Sequence, residues 1–252
     1  MSFAACADIT RRGDADRFLA TMAAPAKYRS ALFATYAFNV EVSRAPWVSS
    51  ESNINEIRLQ WWLDALDEIA AGGSVRRHEV VTPLAQVIDA QSAAVLGDLV
   101  KARRWDIYGD PFGDSAEFKQ YLEQTAGGLM WVAARATGVE TGEDAIRQIG
   151  YASGLANWFK AVPQLIARGH SPLLDGSDDG LMSLAKEGLH GLKQGRNAAP
   201  RDARYATHSG WLANRTLRSV AANPAAVTGG TLHNSEFVRR TELLWRVVQG
   251  RP

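Results

Sequence analysis

Residues 51–72, Glu51-Ser52-Asn53-Ile54-Asn55-Glu56-Ile57-Arg58-Leu59-Gln60-Trp61-Trp62-Leu63-Asp64-Ala65-Leu66-Asp67-Glu68-Ile69-Ala70-Ala71-Gly72, place Ile54, Ile57, Trp61, Trp62, Leu66 and Ile69 at spacings of three, four, one, four and three. That spacing predicts one wide apolar face of a 3.6-residue helix. Asn53 with Glu56 fits a capping box at its start, and Gly72-Gly73 fits a stop. Asp64, Asp67 and Glu68 project to the other side, where they are expected to form a solvated face rather than a metal site.

Outward from this segment the same periodicity continues almost throughout. Helices are expected near 14–23, 25–45, 81–107, 115–137, 143–168, 178–194, 203–222 and 234–249. Asp114 with Glu117 and Thr141 with Asp144 serve as starts, and Gly138, Gly169 and Gly250 as stops. Alternating β-branched runs between turn signals are absent, so no sheet is expected. Residues 169–180 and 223–233 are expected to be surface loops, because neither separates two self-sufficient cores. The expectation is therefore one all-α domain over 1–252.

Composition narrows the function classes. Lys plus Arg is 28 against 27 for Asp plus Glu, a net charge of +1, so no field steers the chain to nucleic acid. The single Cys6 cannot form an internal disulfide and is expected to be an inert thiol near a frayed end, as in a reducing compartment. Met1 to Phe18 carries charges where a secretory signal needs an apolar run, and no window approaches 18 apolar residues. The expected location is cytoplasmic, with peripheral contact at the inner face of a membrane left open to the basic amphipathic segment 234–249.

Four segments resemble, in order and spacing, the squalene/phytoene synthase superfamily. They are Arg29-Ser30-Ala31-Leu32-Phe33-Ala34-Thr35-Tyr36-Ala37-Phe38-Asn39, Ile57 to Leu66 with its Trp pair, Tyr121 through Ala126-Gly127-Gly128-Leu129-Met130, and Tyr151-Ala152-Ser153-Gly154-Leu155-Ala156-Asn157-Trp158-Phe159-Lys160. The resemblance implies an isoprenoid-synthase-like helical barrel around a central cavity. It also implies two aspartate-rich motifs that face each other and hold Mg²⁺ for prenyl diphosphate chemistry.

Here the sequence departs from the family. The outer aspartates of the first motif would fall at Ser43 and Trp47, and the second motif is met by Lys160-Ala161-Val162-Pro163-Gln164-Leu165. Residues 145–174 contain no Asp or Glu, and residues 17–50 contain only Glu41, which projects away from Arg29, Tyr36, Asn39 and Ser43. Without carboxylates the Mg²⁺ cluster has no ligands. No catalytic residue, metal ligand or cofactor is therefore expected, and Mg²⁺ only if relocated ligands keep the chain a prenyltransferase. Phe38-Asn39-Val40-Glu41 is similar to the non-catalytic branch of the family represented by a mitochondrial complex I assembly factor.

Candidate cavity-lining or ligand-binding residues are Arg29, Tyr36, Asn39, Ser43, Arg58, Trp61, Tyr121, Tyr151, Asn157 and Lys160. Arg58 lies on the apolar arc and needs an anionic partner, either internal or as part of a cavity mouth shared with Arg29 and Lys160. Trp61 and Trp62 are ordinary core or cavity wall. Asn39 and Asn157 are expected to be buried amides that hold each other, a water or a headgroup. Three roles stay open: assembly of a membrane complex, prenyl transfer, and binding of an isoprenoid or anionic lipid in the emptied cavity.

Overall fold

The computed structural model describes residues 2–250. Among them there is no strand. The helices are α1 (Phe3–Gly13), α2 (Ala15–Ala23), α3 (Ala26–Arg44), α4 (Ser52–Ala70), α5 (Val81–Leu84), α6 (Ala90–Ala102), α7 (Trp105–Tyr108) and α8 (Ser115–Leu122). After a π-helical turn over Glu123–Gly127 come α9 (Gly128–Arg135), α10 (Glu143–Ala167), α11 (Asp178–Ala198), α12 (Arg204–Thr207), α13 (Ala213–Ala222), α14 (Ala225–Thr228) and α15 (Glu236–Gln249).

The architecture is organised on α3. Every residue from Ala31 to Val40 is buried, because α3 packs on all sides. Leu32 and Tyr36 join a core with Trp131, Trp158 and Phe159, whereas Phe33, Ala37 and Phe38 join a core with Leu59, Trp62, Leu96 and Leu129. The long α10 lies against α11 on one side and against the π turn on the other. That second contact is close: a Cβ on Gly150 would lie 2.7 Å from the Ala126 carbonyl oxygen, so only glycine lets the two backbones meet.

The first segment read from the sequence is a helix, but its inward side is different. Asn55, Leu59, Trp62, Ala65, Leu66 and Ile69 are buried, while Ile54 and Ile57 are 39% and 69% exposed. The register is set by a polar anchor. Asn55 donates to the Pro46 carbonyl at 2.8 Å and the Ser49 carbonyl at 3.0 Å, and accepts from the Ser49 N–H at 3.2 Å. Arg58 is accordingly exposed rather than set in an apolar arc. The expected capping box is not formed: Glu51 is the N-cap, and Glu56 instead accepts from Arg104 at 3.0 Å.

Segments 81–107 and 203–222 are each broken into shorter helices. Asp89 starts α6 by accepting the Ser92 N–H at 2.8 Å, and a tight turn at His208–Gly210 separates α12 from α13. Asp114 caps α8 as expected, but Gly142, at φ 82°, rather than Thr141 precedes α10. Gly72, Gly138, Gly169 and Gly250 all adopt positive φ at the expected stops. The segment around Cys6 is helical rather than frayed. Cys6 is fully buried in α1, and burial pushes its thiol up to about 11, so it is a core residue with little thiolate.

Candidate functional site: the central cavity

α3 and α10 face each other across a cavity of about 320 Å³. Positions four apart on one helical face supply each wall: Asn39 and Ser43 from α3, and Asn157, Ala161 and Leu165 from α10. Trp47, in the turn after α3, closes one side. Tyr121, Thr125 and Ala126 enter from α8 and the π turn, where Thr125 Oγ1 donates to the Tyr121 carbonyl at 2.7 Å. Pi-helical turns widen a helix locally, and this one sits at the cavity wall.

The charges in the lining come from elsewhere. Arg103 donates to Asp106 Oδ2 at 3.0 Å and to the Tyr121 hydroxyl at 3.0 Å, while that hydroxyl donates to Asp106 Oδ1 at 2.6 Å. Burial above all pushes the Tyr121 phenol far up, so it stays protonated and serves as the donor. Asp14 and Arg17 form a second pair at 2.5 Å, with the Arg17 guanidinium 5.6 Å from the Tyr36 ring centre. Arg168 lies 4.3 Å from the Trp47 ring centre and makes no ion pair among the described residues. Three arginines thus line the cavity against two aspartates, both of which are already paired.

Three polar atoms in this lining are buried without a partner: Asn39 Oδ1, Arg17 Nε and Arg103 Nε. A binding cavity with a few convergent polar groups and unmet hydrogen-bonding capacity is suited to a ligand. Among the described residues no group of three or more His, Cys, Asp or Glu converges.

Of the residues singled out from the sequence, Asn39, Ser43, Tyr121 and Asn157 meet in this cavity. Asn157 is exposed at the rim rather than a buried amide, and it accepts weakly from Lys160 at 3.5 Å. Tyr36 is fully buried and donates to the Ala206 carbonyl at 3.4 Å. Tyr151 buries its hydroxyl without a partner, and burial pushes the phenol up.

The cationic mouth of Arg29, Arg58 and Lys160, one of the two readings open for Arg58, is not formed among the described residues. Arg29 donates to the Ala24 and Met22 carbonyls at 2.9 and 2.8 Å, capping the end of α2. Arg58 and Trp61 line a separate outer groove of about 490 Å³ with Trp62 and His78. The Trp pair is therefore not cavity wall. Lys160 is half-buried, burial lowers its pKa, and Asp16 opposes that effect. The cavity's actual charges, Asp14, Arg17, Arg103, Asp106 and Arg168, were missed because they sit on short helices or helix ends with no motif around them.

Residues 10–173 match the squalene/phytoene synthase family model. The chain belongs to the squalene/phytoene synthase family. Within it, the chain is similar to a complex I assembly factor 6 homolog of Drosophila melanogaster, 29% identical over 76% of this chain and 57% of that one. It is also similar to complex I assembly factor 6 of Homo sapiens, 25% identical over 63% of this chain and 48% of that one. The chain spans about half the length of the curated relatives it matches. A dehydrosqualene synthase with bound ligand superposes with a TM-score of 0.78 at 16% identity, covering 98% of this chain and 95% of that one. Squalene synthase HpnC from Alicyclobacillus acidocaldarius superposes with a TM-score of 0.72 at 15% identity, covering 88% and 94%. At such identities the solved structures speak for the shared all-α isoprenoid-synthase fold alone.

Proposed function

We propose that this chain is a non-catalytic member of the squalene/phytoene synthase family that acts in the assembly of a membrane complex, with respiratory complex I as the first candidate. The observation that carries this reading is the pair of facing helices. Where the resemblance to the family implies carboxylates that hold Mg²⁺, α3 lines the cavity with Asn39 and Ser43 and α10 with Asn157 and Ala161. Mg²⁺ bound to a diphosphate needs hard oxygen donors that carry charge. An amide, a hydroxyl and a methyl group do not fit it, and Asp14 and Asp106 are each committed to an arginine. The names of the curated relatives support the assembly role.

The cavity retains a use without a metal. Arg168, with no carboxylate partner, favours an anionic isoprenoid or lipid headgroup held directly by the protein. No helix among the described residues is long and apolar enough to cross a membrane. Peripheral membrane contact is part of the proposal, and α15, with Phe237, Leu244, Trp245 and Val248 exposed, suits it.

Deletion of the gene followed by native gel electrophoresis of the respiratory complexes tests the assembly role. Assembled complex I should fall, squalene- or carotenoid-type products should be unchanged, and aspartates introduced as Ser43→Asp and Trp47→Asp should not improve complementation. Intact complexes together with loss of such a product would overturn the proposal.

A further inference from the structure

Away from the central cavity, α11 and α13 enclose a second concavity of about 470 Å³ whose lining carries Lys193, Arg196, Arg218 and His190 and no acidic residue. The helices pack closely at Gly188, where an added Cβ would lie 3.2 Å from the Leu217 side chain. That contact brings the α11 face with Lys193 and Arg196 against the α13 face with Asn214 and Arg218. Arg196 is only partly exposed, and its Nε is buried with no hydrogen-bond partner.

None of Lys193, Arg196 and Arg218 forms an ion pair among the described residues. Arg246 on α15 adds to the excess instead of relieving it. Burial first, and then repulsion from Arg246, pull the Arg196 guanidinium down to about 9, with Glu242 the acid that opposes this. Glu242 pairs directly with neither. A chain of net charge +1 has no general surplus of cations, so this local accumulation calls for a specific counter-charge.

We propose that the concavity between α11 and α13 is a phosphate-binding site that takes a phosphomonoester or diphosphate group directly on Arg196, Lys193 and Arg218, with the Asn214 amide completing the shell. A phosphate offers several charged oxygens to planar guanidinium donors, and so matches a set of convergent cations without a metal. The site is independent of the assembly role and of the central cavity. Its group is carried either by a soluble phosphate compound or by a lipid headgroup.

Calorimetry of the full chain with inorganic pyrophosphate, at low salt with chelator, distinguishes these sources when set beside co-sedimentation with phosphatidylcholine vesicles containing or lacking phosphatidic acid. Saturable pyrophosphate binding is expected, weakened about tenfold or more by Arg196→Met and by Asn214→Asp, which places a competing carboxylate in the site. The measurements are made in an Arg168→Gln background, which removes the unpaired cation of the central cavity from the readout. Arg196→Met should melt no lower than the parent chain without anion, because it removes an uncompensated charge. If pyrophosphate does not bind but phosphatidic acid vesicles do, with the same variant sensitivity, the group is a lipid headgroup and the site stands. Absence of binding in both arms overturns the assignment, as does binding that survives both site variants.

Discussion

Asp106, 3% exposed, holds the wall of the central cavity together by accepting from both Arg103 and Tyr121. Removing the carboxylate would leave a buried guanidinium without a counter-charge, whereas removing the phenol would leave the ion pair intact. Asp106→Asn should therefore cost about 3 kcal/mol or more in urea unfolding. Tyr121→Phe should cost about 1–2 kcal/mol. Equal losses would mean that the pair is not the principal element. Asp89 offers a test by pH. The Ser92 N–H, and then the Ser92 side chain and Arg135, hold its carboxyl down at about 2. A carboxyl depressed below its unfolded value of about 4 stabilises the fold above that pH and loses its contribution as pH falls towards 2. Asp89→Ala should destabilise by about 1 kcal/mol at pH 7 through loss of the α6 cap, and urea unfolding at pH 3 should show a smaller difference.

At the level of elements, helices whose cores are apolar on one or all sides were legible: α2, α3, α10 and α11 lie within a few residues of where periodicity places them. The register of α4 was not, because Asn55 rather than an apolar residue fixes its entry, and counting hydrophobics assigns Ile54 and Ile57 to the wrong side. The breaks in 81–107 and 203–222 follow from capping and from tight turns that tertiary packing selects, so apolar spacing alone could not reveal them. The π turn is similarly invisible, although Gly127 at its end and Gly128 beyond it were noted. Its close approach to α10 is testable. Gly150→Ala would force a methyl group to within 2.7 Å of the Ala126 carbonyl, with no flexible side chain to yield. Thermal and urea unfolding should show a loss of about 1–3 kcal/mol. A neutral or stabilising result would show that α10 can move away from the π turn at no cost.

Over the whole molecule, the facing of α3 and α10 was legible from the order of the matched segments, and Asn39 and Asn157 do line one cavity. The electrostatics were not. Arg29 caps α2 and Arg58 lines the outer groove with the Trp pair, and the arginines that do reach the cavity come from α2, the end of α6 and the segment after α10. Charge placement depends on where short helices end, which apolar periodicity does not encode. The resulting molecule keeps the isoprenoid-synthase shell and a cavity with more cations than free carboxylates. Under the proposed function, selection that maintains a shape rather than a reaction would account for both features, since a scaffold would not need the ligands that diphosphate departure demands. The direct test is turnover of purified protein with farnesyl or geranylgeranyl diphosphate and Mg²⁺. The account predicts no product with or without chelator, and product that forms with Mg²⁺ and is abolished by chelator would contradict it.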